Sequence, residues 1–268
     1  MSFDSSRLTA KEIAAFLSDA SESEVLALAE RYAEDPRKQV QHALALAQKR
    51  LLRIREERKR VESLYTLQRA LGREGIIVGV DEVGRGPVAG PLTVCAVVLP
   101  DNPYIEGLND SKQLSAAKRE LVAAQVAKVA LAIGIASIEP AEIDEKGMTA
   151  SLRKAMRIAI DKTGVEPDCV LIDGNPVHAH PLEKTIIKGD AKIASIAAAS
   201  VVAKVSRDAL MVAYDTRYPQ YHFAENKGYA SADHIAAIAQ YGLSPIHRVS
   251  FCGNFEKGPR LFESPSYQ

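Results

Sequence analysis

Four acids carry the chemistry this chain could do. Asp81 and Glu82 stand side by side where the apolar run from Ile76 to Val80 stops. Asp173 closes a second apolar run, Cys169 to Ile172, and Asp190 stands just ahead of a long stretch dense in alanine, valine and isoleucine. A core strand rarely ends in two acids unless something holds them. At an effective dielectric of ~20, two carboxylates ~4 Å apart repel by roughly 4 kcal/mol. Four drawn together must therefore take up protons or hold cations. All-oxygen ligands suit magnesium or manganese rather than zinc. Two such ions can clamp the attacking and leaving oxygens of an in-line phosphoryl displacement. No serine–histidine pair or reactive cysteine competes for the role. Cys95, Cys169 and Cys252 are far apart, fit no CxxC spacing, and read as reduced, buried thiols of a cytosolic protein.

Two features resist this reading. In a regular strand Asp81 and Glu82 point to opposite faces, so both reach one site only if the strand breaks, which Gly84 would allow. Asp190 could instead be an ordinary N-cap, accepting from the free amides of the helix behind it. Asp208 looks like a fifth acid but lies 18 residues beyond Asp190, roughly 27 Å along a continuous helix, and is expected to pair with Lys204 or Arg207. The Gly84-Arg85-Gly86 turn presents bare backbone that can approach a sugar-phosphate, and Arg85 can fork onto a phosphate, although a plain tight turn would use the same glycines. Ser111 and Lys112 read either as phosphate anchors or as a solvated loop. His247 and Arg248 read as mainly structural.

The motifs also occur in a telling order. Asp-Glu-Val-Gly-Arg-Gly-Pro (81–87), Asn109-Asp110-Ser111-Lys112, Leu171-Ile172-Asp173-Gly174-Asn175, Lys188-Gly189-Asp190, the Ala197–Asp208 run, Lys227-Gly228-Tyr229 and Pro245-Ile246-His247-Arg248 together resemble the bacterial ribonuclease HII family. The resemblance covers residues 76 to 252. It implies a ribonuclease H-like fold and a nuclease using magnesium or manganese, two ions in all, held by Asp81, Glu82, Asp173 and Asp190. It implies cleavage of the RNA strand of RNA–DNA hybrids, and of the phosphodiester 5′ to a ribonucleotide embedded in duplex DNA, giving a 3′-hydroxyl and a 5′-phosphate. It further implies that main-chain groups of Gly84-Arg85-Gly86 read the ribose 2′-hydroxyl, that Tyr229 packs on the adjoining sugar, and that Ser111 and Lys112 hold phosphates. The 2′-hydroxyl is the group that separates RNA from DNA at a given site. A ribonuclease HIII-type enzyme is the near alternative, and the intact Gly-Arg-Gly argues against it. A nucleic-acid-binding protein with merely structural acids is the rival from another class.

The elements that position these residues fall into two textures. Residues 1–71 are nearly free of glycine and read as an all-helical N-terminal extension outside the resemblance. Thr9 with Glu12, and Ser21 with Glu24, make capping-box starts. Pro36 opens a long helix through Leu71 whose stripe Leu44, Ala47, Leu51, Ile54, Val61 and Tyr65 falls at three- and four-residue steps. Lys49, Arg50, Arg53, Arg55, Arg58, Lys59 and Arg60 make it basic, as a solvated face or a substrate-binding surface. After the linker Gly72-Arg73-Glu74-Gly75, residues 72–268 alternate strands with helices, as an α/β domain with a mixed sheet flanked by helices requires. The 268 residues carry 34 basic and 34 acidic side chains, so a nucleic-acid site must be a local basic patch beside an acidic centre. The start of the chain has no apolar signal core, and a cytoplasmic monomer without membrane contact is expected.

Overall fold

The computed structural model describes residues 8–72 and 75–253. The chain start, Arg73 and Glu74 of the linker, and residues 254–268 lie outside them. The described residues form two compact units that divide between Arg60 and Val61.

In the first unit, α1 (Ala10–Asp19), α2 (Glu22–Arg31) and the leading part of α3 (Lys38–Gly72) surround a small core of Ile13, Leu17, Val25, Tyr32, Val40 and Leu44. Both capping boxes form: Thr9 accepts from the Glu12 amide while Glu12 accepts from the Thr9 amide, and Ser21 and Glu24 repeat the exchange. Each satisfies two helix-end amides that no backbone acceptor can reach. Arg50 closes the other end of α1 by donating to the carbonyls of Leu17 and Ala20. The α3 stripe is not one continuous face, because Ile54 is 46% exposed. Leu44 and Ala47 serve this first core, whereas Val61 and Tyr65 serve the second unit. The units thus divide inside α3, ahead of the linker at residues 72–75 where the composition changes.

The second unit is built on a five-stranded sheet of order β3-β2-β1-β4-β5. Its strands are β1 (Ile77–Val83), β2 (Leu92–Val98), β3 (Ala132–Ile138), β4 (Cys169–Asp173) and β5 (Glu183–Ile186). β1 pairs antiparallel with β2, as β2 does with β3; β4 runs parallel to β1, and β5 parallel to β4. Alternation along β2 explains its unbroken apolar run. Val94, Ala96 and Val98 face α6 (Met148–Asp161), while Cys95 and Val97 face α4 (Ala116–Val129) and α7 (Ala194–Arg217). The end of α3 joins α4 and α7 on that second face through Val61, Leu64 and Tyr65. Gln68, buried on α3, accepts the Ser195 amide at 2.8 Å at the start of α7.

α7 packs tightly on the sheet at Gly79 of β1. A Cβ there would run into the backbone of Ser195 and Ile196. Beyond α7 a third cluster gathers Val88, Met211, Tyr221, Phe223 and Ile238, drawing in α8 (Phe223–Asn226), α9 (Ala232–Tyr241) and the short α10 (Val249–Cys252). α5 (Pro140–Lys146) precedes α6. Among the described residues, no helix is long and apolar enough to cross a membrane.

Candidate active site

Strand register brings the first two acids together. Val80 of β1 stands level with Ile172 of the parallel β4, so the next residues, Asp81 and Asp173, stand side by side on the α7 face. Asp190 reaches the same place from a single 3₁₀ turn, Gly189–Ala191, ahead of α7. Asp81, Asp173 and Asp190 each offer a carboxylate oxygen, and these oxygens all lie within 4.8 Å of one another. Asp190 is not an N-cap. α7 begins at Ala194, its N-cap is Ile193, and no side chain caps it.

Glu82 is not in that group of three. The strand does not break at the acids: β1 stays paired with β2 as far as Val83 and Thr93, so alternation sends Glu82 to the other face from Asp81. It remains near enough to feel the charges of Asp173 and Lys112. One Glu82 oxygen accepts from Arg85 at 3.1 Å, and the other, Oε2, is buried with no hydrogen-bond partner.

Burial governs the electrostatics. It pushes the Asp81 carboxyl well above the usual range, with the charges of Glu82 and Asp173 pushing the same way. It raises Glu82 against the pull of Arg85, and Asp190 against the hydrogen bond from Lys112. For Lys112, burial opposes the charged form, but the bond to Asp190 and the surrounding acids outweigh it and raise its pKa. Lys112 Nζ lies 2.9 Å from Asp190 Oδ2 and 3.4 Å from Asp110 Oδ1. Asp173 is held by the Gly189 amide at 2.6 Å. Crowded acids that resist ionisation and an all-oxygen ligand set fit a divalent magnesium or manganese ion.

Beside the acids lies the glycine turn. Gly84 has φ +91°, a conformation costly for any side chain, and a Cβ on it would strike Arg207. A Cβ on Gly86 would lie 3.8 Å from the Tyr229 ring, so turn and ring share one surface. Two fully buried arginines underlie it. Arg207 donates to the carbonyls of Pro91, Lys227 and Ala89 at 2.9–3.1 Å. Arg248 donates to those of Gly84, Arg85 and Gly90 at 2.6–3.1 Å. Behind Tyr229 two histidines are chained. The Ser244 amide donates to His247 Nδ1, so a neutral His247 carries its proton on Nε2 and donates to His234 Nε2, 3.0 Å away. His234 then donates from Nδ1 to the Tyr229 carbonyl at 2.8 Å.

Comparison with known proteins decides what this arrangement belongs to. Residues 78–254 match the family model for ribonuclease HII. The chain is 46% identical over 226 residues to a ribonuclease HII of Lachnoclostridium phytofermentans, covering 84% of this chain and 89% of that one. It is 44% identical over 245 residues to the ribonuclease HII of Geobacillus thermodenitrificans, covering 91% and 94%. The chain belongs to the ribonuclease HII family.

It is accordingly a metal-dependent endoribonuclease acting on RNA–DNA hybrids, with a ribonuclease H-like fold. The crystal structure of ribonuclease H2 from Pyrococcus horikoshii OT3 superposes with a TM-score of 0.58 at 26% identity, covering 68% of this chain and all of that one. The comparisons correct one expectation: the helical extension is not outside the family. Residues 9–72 match the model of the ribonuclease HII N-terminal domain.

Set against the family motifs, the structure gathers Asp81, Asp173, Asp190 and Lys112, and brings Gly86 beside Tyr229. It places Ser111 in the interior, its hydroxyl 2.9 Å from that of Ser200, which in turn bonds Asp81. Asp208 pairs with Lys204 at 2.7 Å, away from the acids. Sequence reading misses Ser200, His234 and Arg207. Arg207 leaves a signal as one of three neighbouring charges, with Lys204 and Asp208, in the middle of a largely apolar helix.

Proposed function

We propose that this ribonuclease HII cuts the RNA strand of RNA–DNA hybrids and, in duplex DNA, the phosphodiester on the 5′ side of an embedded ribonucleotide. Water adds to phosphorus, the P–O3′ bond breaks, and the O3′ leaves as a hydroxyl. The products are a 3′-hydroxyl and a 5′-phosphate. The observation that carries this reading is the convergence of Asp81, Asp173 and Asp190 within 4.8 Å beside a glycine turn and an exposed tyrosine.

In this reading Asp81, Asp173 and Asp190 hold magnesium or manganese, and Glu82, turned to the other strand face, acts on Asp81 through its charge. When bound, the metal supplies charge to the phosphate oxygens. Lys112 and Arg85, exposed at the rim, hold flanking phosphates. Ser111, tied to Ser200, fixes the loop that carries Lys112. Gly84-Arg85-Gly86 reads the ribose through main-chain groups, and Tyr229 packs on the adjoining sugar. The N-terminal extension adds affinity for the duplex. Three buried thiols, none in a disulfide among the described residues, accord with a reducing, cytoplasmic setting.

The test uses the full chain with a labelled hybrid and with duplex DNA holding one ribonucleotide. Both are to be cut with magnesium or manganese and spared in chelator. Binding of either substrate without divalent-dependent cleavage would leave only the non-catalytic alternative.

A further inference from the structure

Arg248 is fully buried, and its guanidinium meets no carboxylate among the described residues. Burying a cation without an ion-pair partner is costly unless its donors are well used. Here they are. Nε and one terminal nitrogen hold the Gly90 carbonyl at 3.0 and 2.8 Å, that same nitrogen holds Gly84 at 2.6 Å, and the other holds Arg85 at 3.1 Å. Burial, with the like charge of Arg207 nearby, pulls its pKa down to about 10. So costly an arrangement beneath an exposed turn calls for a reason.

The reason lies in the geometry of the peptide unit. In a planar trans peptide, C=O and N–H point in opposite directions. Drawing the Gly84 carbonyl inward turns the Arg85 amide outward, and drawing the Arg85 carbonyl inward does the same for the Gly86 amide. Among the described residues neither amide is given to a protein acceptor. Both therefore face the surface that holds Tyr229, as two adjacent donors with no rotamer to choose.

We propose that Arg248 is a specificity-determining positioning residue: by holding the carbonyls of Gly84 and Arg85 inward, it aims the amides of Arg85 and Gly86 at the ribose oxygen of the substrate and so sets the preference for a ribonucleotide over a deoxyribonucleotide. The inference rests on the turn reading given under the proposed function. It requires a planar fork. A lysine keeps the charge, but its single ammonium cannot span three carbonyls in that geometry.

The experiment compares the native chain with Arg248→Lys in magnesium. It reads kcat and KM for duplex DNA with one ribonucleotide, and Ki for the all-DNA duplex of the same sequence as competitor. In Arg248→Lys, kcat/KM should fall roughly 10- to 100-fold, the scale of a misplaced reacting group. KM should rise toward Ki, while Ki moves by less than about threefold because phosphate contacts carry non-specific affinity. An unchanged Ki/KM ratio in a cooperatively melting Arg248→Lys overturns the proposal. So does loss of cooperative melting in both Arg248→Lys and Arg248→Gln, which would make Arg248 a fold element only. A native chain with Ki equal to KM would instead sink the underlying reading of the turn.

Discussion

Lys112 and Asp190, 78 positions apart in the chain, meet at 2.9 Å between Nζ and Oδ2. The acid is buried, whereas the lysine side chain is 72% exposed, so a cation reaches in from the surface to a buried carboxylate. That ion pair, rather than a helix end, occupies the Asp190 side chain. Asp190→Asn should therefore leave the fold standing. A stability change of ~1 kcal/mol would move the midpoint by roughly 2–4 °C in a chain of this size, and no more than that is expected. Manganese binding measured calorimetrically should weaken sharply, and most cleavage should go with it. Near-native manganese affinity in Asp190→Asn would remove the residue from the metal centre.

Tyr229 is 48% exposed and stands over Gly86. Tyr229→Ala should lower kcat/KM at a single embedded ribonucleotide by roughly tenfold, the scale of removing one aromatic platform. Affinity for all-DNA duplex should change much less. Equal reductions on both substrates would mean that the ring only supports the fold.

The basic side chains of α3 are not equivalent. Arg50 caps α1, and Arg55 and Arg60 pair with Glu22 and Glu57, whereas Lys49, Arg53 and Lys59 are exposed. Replacing those three with glutamine should weaken hybrid binding. The slope of log affinity against log salt should become shallower by about 0.9 for each phosphate that is no longer neutralised. An unchanged slope would leave the first unit without a part in binding. Cutting the chain at Gly72 is the wrong experiment, because it deletes Val61, Leu64 and Tyr65 from the second unit's core, where one Leu→Ala change alone costs about 2–5 kcal/mol.

His247 makes stability depend on pH. Burial, and then the nearby His234, lower its pKa from 6.5 to about 3. Between those values the unfolded chain binds the extra proton, so stability rises with pH. The contribution is fully present above pH 6.5 and is lost as pH falls toward about 3, by up to ~1.4 kcal/mol per unit. The acids with raised pKa titrate with the opposite sign, so the comparison must be with His247→Gln. Denaturant midpoints for the two proteins should converge as pH is lowered from 7.5 to 5. Parallel midpoints would show that His247 does not titrate on unfolding.

Strand ends and their acids are legible in the sequence because an apolar run that stops at a carboxylate is a local signal. Asp81 and Asp173 follow from it, and their shared face needs only the parallel register of β1 and β4. Asp190 is ambiguous because capping and ligation use the same residue type; the three residues between it and α7 separate the two roles. Ser111 looks like a loop residue because nothing nearby in sequence predicts Ser200, 89 positions on. Arg248 reads as structural for want of any local mark of what it holds. Its partners Gly84 and Arg85 lie more than 160 residues back, and a carbonyl acceptor leaves no trace in side-chain identity.

Gly79 acts as a spacer. It sits two residues before Asp81, and α7 rests on it at Ser195, five residues after Asp190. The gap between those two acids is thus gauged by a bare backbone. A single methyl group at position 79 would wedge the start of the helix off the strand and widen the space between the two acids, without touching either of them. The calibre of the catalytic centre is set two residues away from it, by an atom the chain does not have.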